Sequence, residues 1–366
     1  PKRLRGRYVK EDGQATGYQD ARAAEGRRRL AVCARDVYRL CRRLGHTAAA
    51  QMEEFALLQR LLEEQCEVVK KKQPLSRSDD DAGEGRVPVV LKEAKEVSSA
   101  SLQSPHDPDA TYNGRKGKGY EVQVAETCHD DNKVEIITHV EVTDACVSDA
   151  QATVPTLDAL EARQLQPQEL VADTTYGSGD NAVAAARRGT ELISPVGGPT
   201  TVTREEVADG MLTAADFEID PRPAEPTVCP AGHFSSAQAP SGKRAQRLEV
   251  TFERSTCEAC ALFDRCPAKL DRAADGYLLL VDLATTNLER RRRAEANGSF
   301  KERYAIRAGS EATNSELKRG HGLGDLRVRG RPRVELAVHL KALACNIKRM
   351  VRTLMSEADE AVPALA

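Results

Sequence analysis

The sequence predicts a mixed α/β protein with a helical N-terminal region and a β-rich insertion. Three observations predict it: apolar residues recur every three or four positions before residue 98, they alternate with polar residues from Tyr120 onward, and residues 196–286 are rich in Gly, Pro, Thr and Cys. We therefore divide the chain into a helical region with a linker, the first part of an α/β core, the insertion, and a helical second part with a basic C-terminal segment. These divisions are residues 1–98, 99–195, 196–286 and 287–366.

The N-terminal region contains two rows of apolar residues at helical spacing. They are Leu30, Cys33, Val37, Leu40 and Leu44, and then Phe55, Leu58, Leu62, Cys66 and Val69. Each row would cover one face of a helix, so we expect two amphipathic helices that pack on each other or on a partner. The charged, apolar-poor run from Lys70 to Gly85 is typical of a linker.

The α/β core is predicted from strand and helix patterns between residues 99 and 195. Strands are expected at 120–125, 134–142, 170–172 and 191–195, and helices at about 150–164 and from Asn181. Two antiparallel strands followed by a helix, a strand and a helix indicate a mixed sheet with helices on it. Within the insertion, residues 247–252 and 277–281 have the composition of strands.

Charge is distributed unevenly along the chain. The net charge is −2, but residues 289–352 hold 17 Lys and Arg against 7 Asp and Glu, an excess of +10 that leaves −12 for the remainder. A basic block on an acidic protein favours a nucleic-acid partner, although a solvated helix face would give the same excess. No window supplies the ~18 uncharged apolar residues of a membrane span, so we expect a soluble protein without a membrane partner. No signal peptide opens the chain, and a first residue Pro1 instead of Met is compatible with a fragment of a longer protein.

Of the ten cysteines, only those between residues 229 and 266 cluster. Cys229 precedes Pro-Ala-Gly-His, and Cys257 and Cys260 form a Cys-x2-Cys pair that Cys266 follows. Without a secretory signal, this spacing favours a structural Zn²⁺ site, in which His233 could replace one thiol. Unligated thiols and an iron–sulfur cluster are the alternatives.

Two acidic positions lie where α/β proteins often place chemistry. Asp173 directly follows the apolar run 170–172, at the carboxyl end of a predicted strand. Alternatively, it caps the next helix, although Asp180 and Asn181 are better placed for that. Asp107 lies in Ser104-Pro-His-Asp-Pro-Asp, where simple turn formation is the alternative and Asp109 is an equivalent candidate.

A helical segment after residue 300 carries four chemically distinct side chains on one face. Tyr304, Arg307, Glu311 and Lys318 fall within a stripe of about 60° when each residue turns the helix by roughly 100°. Cationic groups beside a carboxylate suit a surface that meets both a metal ion and phosphates. A charge ladder on a surface helix is the alternative.

A second basic element is Arg327-Val-Arg-Gly-Arg-Pro-Arg. In an extended segment, its arginines at 327, 329, 331 and 333 would lie on one side and contact a phosphate backbone. A basic loop without a ligand is the alternative. No recognition helix that would read bases can be identified.

The spacing Tyr-x2-Arg-x3-Glu-x6-Lys over residues 304–318 resembles the YREK signature of DDE-class transposases of bacterial insertion sequences. Further segments agree with that family: Asp107-Pro-Asp-Ala, Gly119-Tyr-Glu-Val-Gln, Thr138-His-Val-Glu-Val-Thr, Leu170-Val-Ala-Asp-Thr-Thr-Tyr-Gly-Ser-Gly and Gly322-Leu-Gly-Asp-Leu-Arg-Val-Arg-Gly. The resemblance covers roughly residues 99–355.

This resemblance implies an RNase H-like catalytic core with an insertion before its catalytic Glu. It implies that Asp107, Asp173 and Glu311 are the catalytic carboxylates, with Asp109 as the alternative first Asp, and that they bind two Mg²⁺ (or Mn²⁺) ions. Tyr304 would contact a nucleotide near the cut. DNA phosphates would contact Arg307, Lys318, Arg319, Arg327, Arg329, Arg331 and Arg333.

The activity implied by the resemblance is metal-dependent cleavage and strand transfer of double-stranded DNA at the ends of an insertion sequence. The protein would act as a homodimer in the bacterial cytoplasm, at the nucleoid. Two alternatives stay open: a domesticated, non-catalytic, zinc-containing DNA-binding protein, and a metal-dependent nuclease without strand transfer. The presence of all three carboxylates argues against the first alternative.

Overall fold

The computed structural model describes residue 8 and residues 23–69, 89–197, 210–220, 226–241, 246–296 and 298–361. The predicted linker, Lys70–Gly85, lies outside the described residues. The chain divides into two compact units. The first comprises Pro1–Glu121, Val142–Cys146 and Arg327–Val334, and the second comprises Val122–Glu141, Val147–Leu326 and Glu335–Ala366.

The first unit begins with two helices, α1 (Ala23–Leu44) and α2 (Glu53–Gln65), as the apolar spacing predicts. The predicted continuation of the second helix through Cys66 to Val69 is wrong. Cys66 instead starts a two-stranded antiparallel sheet of β1 (Cys66–Val68) and β2 (Val89–Leu91), because its backbone pairs with Leu91.

Side chains of α2 hold the segment that leads to Asp107. The Arg60 guanidinium donates to the carbonyl oxygens of Ala100 (3.1 Å) and Pro108 (2.9 Å). The Glu64 carboxylate accepts from the backbone N–H of Leu102 at 2.6 Å. These bonds satisfy backbone groups of a segment that consists of turns and bends, so the segment needs no strand partner.

Three strands form the next sheet, in the order β3 (Thr111–Asn113), β4 (Gly117–Glu126) and β5 (Ile137–Asp144). On β4 the buried residues are Glu121 and Gln123, although the alternation of the sequence predicts an apolar inner face. Both polar side chains have partners. Glu121 accepts hydrogen bonds from Asn113 (2.9 Å) and Lys116 (2.7 Å), which offsets the cost of burying its charge.

In the second unit, the α/β pattern continues with α3 (Thr153–Glu161), β6 (Glu169–Val171), α4 (Gly179–Arg187) and β7 (Glu191–Ile193). β6 and β7 are parallel, with Leu170 opposite Leu192. In the described part of the chain, this pair is a separate sheet from β3–β5, whereas a single mixed sheet was predicted. Residues of β4 and β6 line a common cavity.

Residues 237–282 form an antiparallel sheet that includes both strands predicted for the insertion. Its elements are β8 (Ala237–Pro240), β9 (Arg247–Glu253), the short helix α5 (Arg254–Glu258), β10 (Lys269–Asp271) and β11 (Gly276–Asp282), with strand order β10-β11-β9-β8. Alternate residues of β9, Leu248, Val250 and Phe252, are buried, which gives the sheet one apolar face.

The remaining elements are helical. They are α6 (Leu283–Glu295), α7 (Gly298–Ala305), α8 (Ala308–Ser315), a π-helical turn (Glu316–Gly320) and α9 (Arg331–Ala361). In the second unit, Ala342 and Cys345 of α9 pack with Ile137 of β5 and Leu317 of the π-helical turn. None of the helices in the described ranges combines the length and the apolar run that crossing a membrane requires.

Candidate active site

Asp173 lies directly after β6, as the sequence predicts. Its side chain is about half exposed (53%), and its Oδ1 accepts from the backbone N–H of Thr174 at 2.8 Å. It therefore caps a single 3-10 turn, Thr174–Tyr176. The following helix, α4, is capped by Ser178, which accepts from the N–H of Asn181, and not by Asp180 or Asn181. The second oxygen of the Asp173 carboxylate, Oδ2, is not used by this cap and faces Arg307.

The loop after Asp173 is held by α6, which sequence reasoning missed. Arg291 donates to the carbonyl oxygens of Gly177 (2.7 Å) and Ser194 (2.5 Å). A Cβ atom on Gly177 would lie 2.0 Å from the Ser194 Oγ and 2.6 Å from Arg291 Nη2, so only glycine fits there. Burial lowers the pKa of the Arg291 guanidinium, because it disfavours the charged form.

Arg307 brings Asp173 and Glu311 together. Its Nη1 lies 2.6 Å from Glu311 Oε1, and its Nη2 lies 3.4 Å from Asp173 Oδ2. Glu311 is 68% exposed, whereas Arg307 is only 24% exposed. Burial alone would lower the pKa of Arg307, but the bond to Glu311 and the charges of Tyr304 and Asp173 raise it. The result is one guanidinium between two carboxylates at the surface of the second unit.

The prediction of one continuous helix through residues 304–318 is wrong. The helix breaks at Ile306 and Arg307, between α7 and α8, and Lys318 lies in the π-helical turn. The four side chains of the predicted stripe therefore do not share one helix face. Tyr304 still contacts Arg307, because the guanidinium carbon lies 5.9 Å from the centroid of the Tyr304 ring. The Tyr304 ring also stacks on the Phe300 ring, with 5.5 Å between the two centroids.

A cavity of about 550 Å³ adjoins the carboxylate pair. Asp173 and Arg307 belong to its lining, together with polar residues of β4 and α8 such as Gln123, Glu126 and Thr313. Tyr176 donates its hydroxyl to Gln123, so one side of the lining is fixed by a side-chain hydrogen bond. The cavity has the mixed polar and apolar lining of a binding site.

Asp107 and Asp109 lie in the first unit and contact the start of α9. Asp107 Oδ1 accepts from the Tyr120 hydroxyl (2.6 Å) and from the N–H of Gly330 (3.1 Å), and Asp109 Oδ2 accepts from the N–H of Arg331 (3.3 Å). Burial and the bond to Asp107 raise the pKa of Tyr120. Both carboxylates thus satisfy N–H groups at a helix N-terminus, where negative charge is favourable.

The basic residues fall into two groups. Lys318, Arg319, Arg327 and Arg329 are exposed. Arg331 and Arg333 lie in the first turn of α9, so the predicted extended segment of four arginines is wrong from Arg331 onward. Arg331 also binds the Asp144 carboxylate (3.0 Å) and the Val142 carbonyl oxygen (2.8 Å).

The four clustered cysteines line one small pocket of about 30 Å³, and His233 lines it too. Backbone N–H groups of His233 and Leu262 donate to the sulfur atoms of Cys229 (3.3 Å) and Cys260 (3.4 Å). Burial, and then the neighbouring thiols, raise the pKa of Cys257 to about 11. No three of these sulfur atoms lie within 4.8 Å of one another. The pocket has a volume close to that of one ion, and it holds four thiols together with backbone N–H groups that donate to sulfur. These features fit Zn²⁺ once the sulfur atoms move closer together.

One further group of potential ligands was not predicted: Glu316, His321 and Cys345 lie within 4.8 Å of one another. The Glu316 carboxylate is bound by Lys348 (2.7 Å) and Arg349 (3.3 Å), and the Lys348 bond in particular lowers the pKa of Glu316 to about 2. Two cations at the carboxylate disfavour a metal ion. Glu316 is therefore better described as part of an internal ion-pair network. The sequence did not predict this network, because Glu316 and Lys348 are 32 positions apart and form no local pattern.

Asp173 and Glu311 fit a hard divalent cation in their chemistry, because both present exposed carboxylate oxygens beside the same guanidinium. Comparison with family models matches residues 228–351 to the transposase DDE domain. This range includes Glu311 and the cysteine cluster, but ends short of Asp107 and Asp173 on the N-terminal side. Curated proteins and solved structures gave no significant match. Residues 228–351 are therefore similar to the DDE domain of transposases.

Proposed function

We propose that this protein cleaves and joins DNA strands at transposon ends, with divalent metal ions held on an RNase H-like core. The observation that carries the proposal is the meeting of Asp173 and Glu311 at Arg307, next to a cavity, in a chain with a matched DDE domain. Asp107 would be the third carboxylate, with Asp109 as its alternative.

Each group would have a separate task. Asp173 and Glu311 would hold two Mg²⁺ or Mn²⁺ ions, which supply activation of the attacking oxygen and stabilisation of the leaving oxygen. Arg307 offsets one of the two negative charges and reduces the repulsion between the carboxylates, because it lies between them. When the carboxylates bind cations, Arg307 can turn to a DNA phosphate, and Tyr304 beside it can contact a nucleotide.

Double-stranded DNA, both transposon ends and target, would bind through the exposed cations Lys318, Arg319, Arg327 and Arg329. Arg333 is exposed on α9 and can contribute as well. Arg331 would contribute less, because Asp144 already binds it. We further propose that the protein acts as a homodimer, since each transposon has two ends to be cut.

Cys229, Cys257, Cys260 and Cys266 would hold a structural Zn²⁺ ion, with His233 as a possible substitute for one thiol. The supporting observation is that all five side chains line the same small pocket under the sheet β8–β11. Elemental analysis of the purified protein should give one zinc per chain. Replacement of Cys257 by Ser should release it, and a zinc-free, folded wild-type protein would contradict the proposal.

The catalytic proposal is tested with isosteric variants. Asp173→Asn and Glu311→Gln remove one charge each and should lower Mg²⁺- or Mn²⁺-dependent nicking of supercoiled plasmid by at least about 100-fold, because each carboxylate would hold a metal ion. Affinity for a random-sequence duplex, measured by fluorescence anisotropy, should change little. Parallel variants Asp107→Asn and Asp109→Asn decide which residue is the first carboxylate.

The matched controls are Asp180→Asn and Glu302→Gln, which remove the same charges from exposed positions on α4 and α7. Both should nick DNA like the wild type. Unchanged nicking by Glu311→Gln would reject the proposal. Nicking without joining of the released ends to target DNA would indicate the nuclease alternative, and DNA binding without nicking by the wild type would indicate the non-catalytic alternative.

A further inference from the structure

The helix α9 has a second apolar face that the described residues leave uncovered. Its buried face packs Ala342 and Cys345 against the second unit. The other face carries large apolar side chains that are each between 50% and 62% exposed. These side chains are Leu336, Leu340, Leu343, Ile347, Met350 and Leu354, and we refer to them as the α9 seam.

The spacing of the α9 seam is specific. Successive members are four, three, four, three and four residues apart, which is the a/d pattern of a heptad repeat. A helix that packs only on its own domain needs one apolar stripe, and α9 already has that stripe on the opposite side. A strict 3.5-residue repeat over 18 residues, roughly 27 Å of helix, fits another helix laid along it.

In the described part of the chain, no other helix covers these side chains. None of the chain's segments outside the described residues contains more than two Val, Ile, Leu, Met, Phe or Tyr residues, so none can cover six large side chains. The exposed large apolar residues of the other described helices, such as Leu30, are single. Among the surfaces that the described residues form, the α9 seam of another copy matches the α9 seam in length and spacing.

The residues that flank the α9 seam agree with such self-pairing. In this register, the e and g positions are Ala337, Ala344 and Val351, and His339, Asn346 and Thr353. None of them is Lys, Arg, Asp or Glu, so two identical flanks can meet without repulsion between like charges. A partner selected by charge would need charged flanks, which are absent here.

We propose that two copies of this protein associate through the α9 seam as a two-helix coiled coil. The interface is isologous, since the same surface is used on both subunits. It requires neither DNA nor metal ions, and it is therefore independent of the proposed catalytic function. It also leaves Asp173, Arg307 and Glu311 outside the contact, because they lie on other elements.

The first experiment measures molar mass in solution by light scattering after size-exclusion chromatography, without DNA or divalent metal. The wild type should have twice the mass of one chain. Leu343→Glu combined with Ile347→Glu should give the mass of one chain and weaken association at least about 100-fold, because two charges would be buried in the seam. Leu343→Ala with Ile347→Ala gives a milder test should the charged variant fold poorly.

Ser356→Glu is the matched control, since it adds a charge to an exposed position of α9 outside the a and d positions. It should remain dimeric. A monomeric wild type at all accessible concentrations would overturn the proposal, and so would a dimer that survives both double substitutions. Binding of monomers to anionic lipid vesicles through the same residues would also overturn it, because the seam would then be a membrane-binding face.

Engineered cysteines then report the orientation of the two helices. Leu336→Cys alone should form a disulfide between copies when the helices are parallel, since equivalent d positions face each other. A mixture of Leu336→Cys and Leu354→Cys proteins should form the mixed disulfide when they are antiparallel. Absence of both products beyond the wild-type background would contradict contact along the α9 seam.

Discussion

Two arginine clusters of this protein resemble one another in sequence and differ in the structure. Arg290, Arg291 and Arg293 on α6 are turned inward and bind partners in the second unit. Arg290 donates to the carbonyl oxygens of Ala215 and Phe217, and Arg293 binds Asp216, Glu289 and Thr213. Arg327 and Arg329, which precede α9, are exposed.

The difference shows that a basic stretch is no measure of DNA-binding capacity by itself. Residues 289–352 hold an excess of +10, but several of their cations neutralise carboxylates or bind carbonyl oxygens of the same protein. A cation that already has buried acceptors would lose them on turning to a phosphate. Only the cations that lack such acceptors can increase affinity for DNA at no cost to the fold.

The largest effect is expected from the inward cluster. Arg291→Met should lower the free energy of unfolding by roughly 2–4 kcal/mol, because the buried carbonyl oxygens of Gly177 and Ser194 would lose their donor. Nicking should fall as well, since the loop after Asp173 loses its anchor. Arg329→Met, on the exposed cluster, should change stability by less than about 0.5 kcal/mol. Urea unfolding measures the free energy of unfolding of both variants. Equal values would show that the two arginine clusters contribute equally to stability.

Sequence patterns predicted this protein unevenly. Periodicity found α1, α2 and β4, because each of these elements is long enough for its apolar residues to repeat, and composition found β9 and β11. The short strands β6 and β7 were located by their apolar runs. Their separation from β4 was not predicted, since the pairing of strands depends on contacts between residues far apart in sequence.

The candidate site shows the same limit. Asp173 and Glu311 were selected from their local contexts, and both contact Arg307. The break between α7 and α8 was not predicted, although Gly309 weakens the helix there. The role of Arg291 was hidden too, since its acceptors Gly177 and Ser194 lie 114 and 97 residues away. Sequence indicates which groups can react, but not which cations are already engaged.

A third set of cations lies on α9, and its contribution to the free energy of unfolding should depend on pH. Lys348 and Arg349 bind Glu316, whose pKa is lowered from 4.5 to about 2. Because the pKa of Glu316 is lowered in the folded protein, the stabilisation that its ion pairs give to the fold is complete above pH 4.5 and is lost as the pH falls towards 2. Glu316→Gln should therefore cost about 2–3 kcal/mol at pH 7, and the difference from the wild type should shrink below pH 4.5. Urea unfolding between pH 7 and pH 3 measures it, and a difference that does not vary with pH would contradict the ion-pair network.

The smallest effect is expected from the exposed cluster, and it concerns DNA alone. Arg327→Ala combined with Arg329→Ala should weaken binding of a random-sequence duplex about tenfold at physiological salt and reduce the slope of log affinity against log salt by about 2. Stability should not change, in contrast with Arg291→Met. The matched control is Arg272→Ala in the turn between β10 and β11, another exposed arginine, which should leave both the affinity and the slope unaltered. If Arg272→Ala weakened binding as much as the double variant, the attraction would come from the total charge of the protein. If only the double variant did, the DNA would contact the segment before α9, whose arginines are exposed and pair with no carboxylate among the described residues.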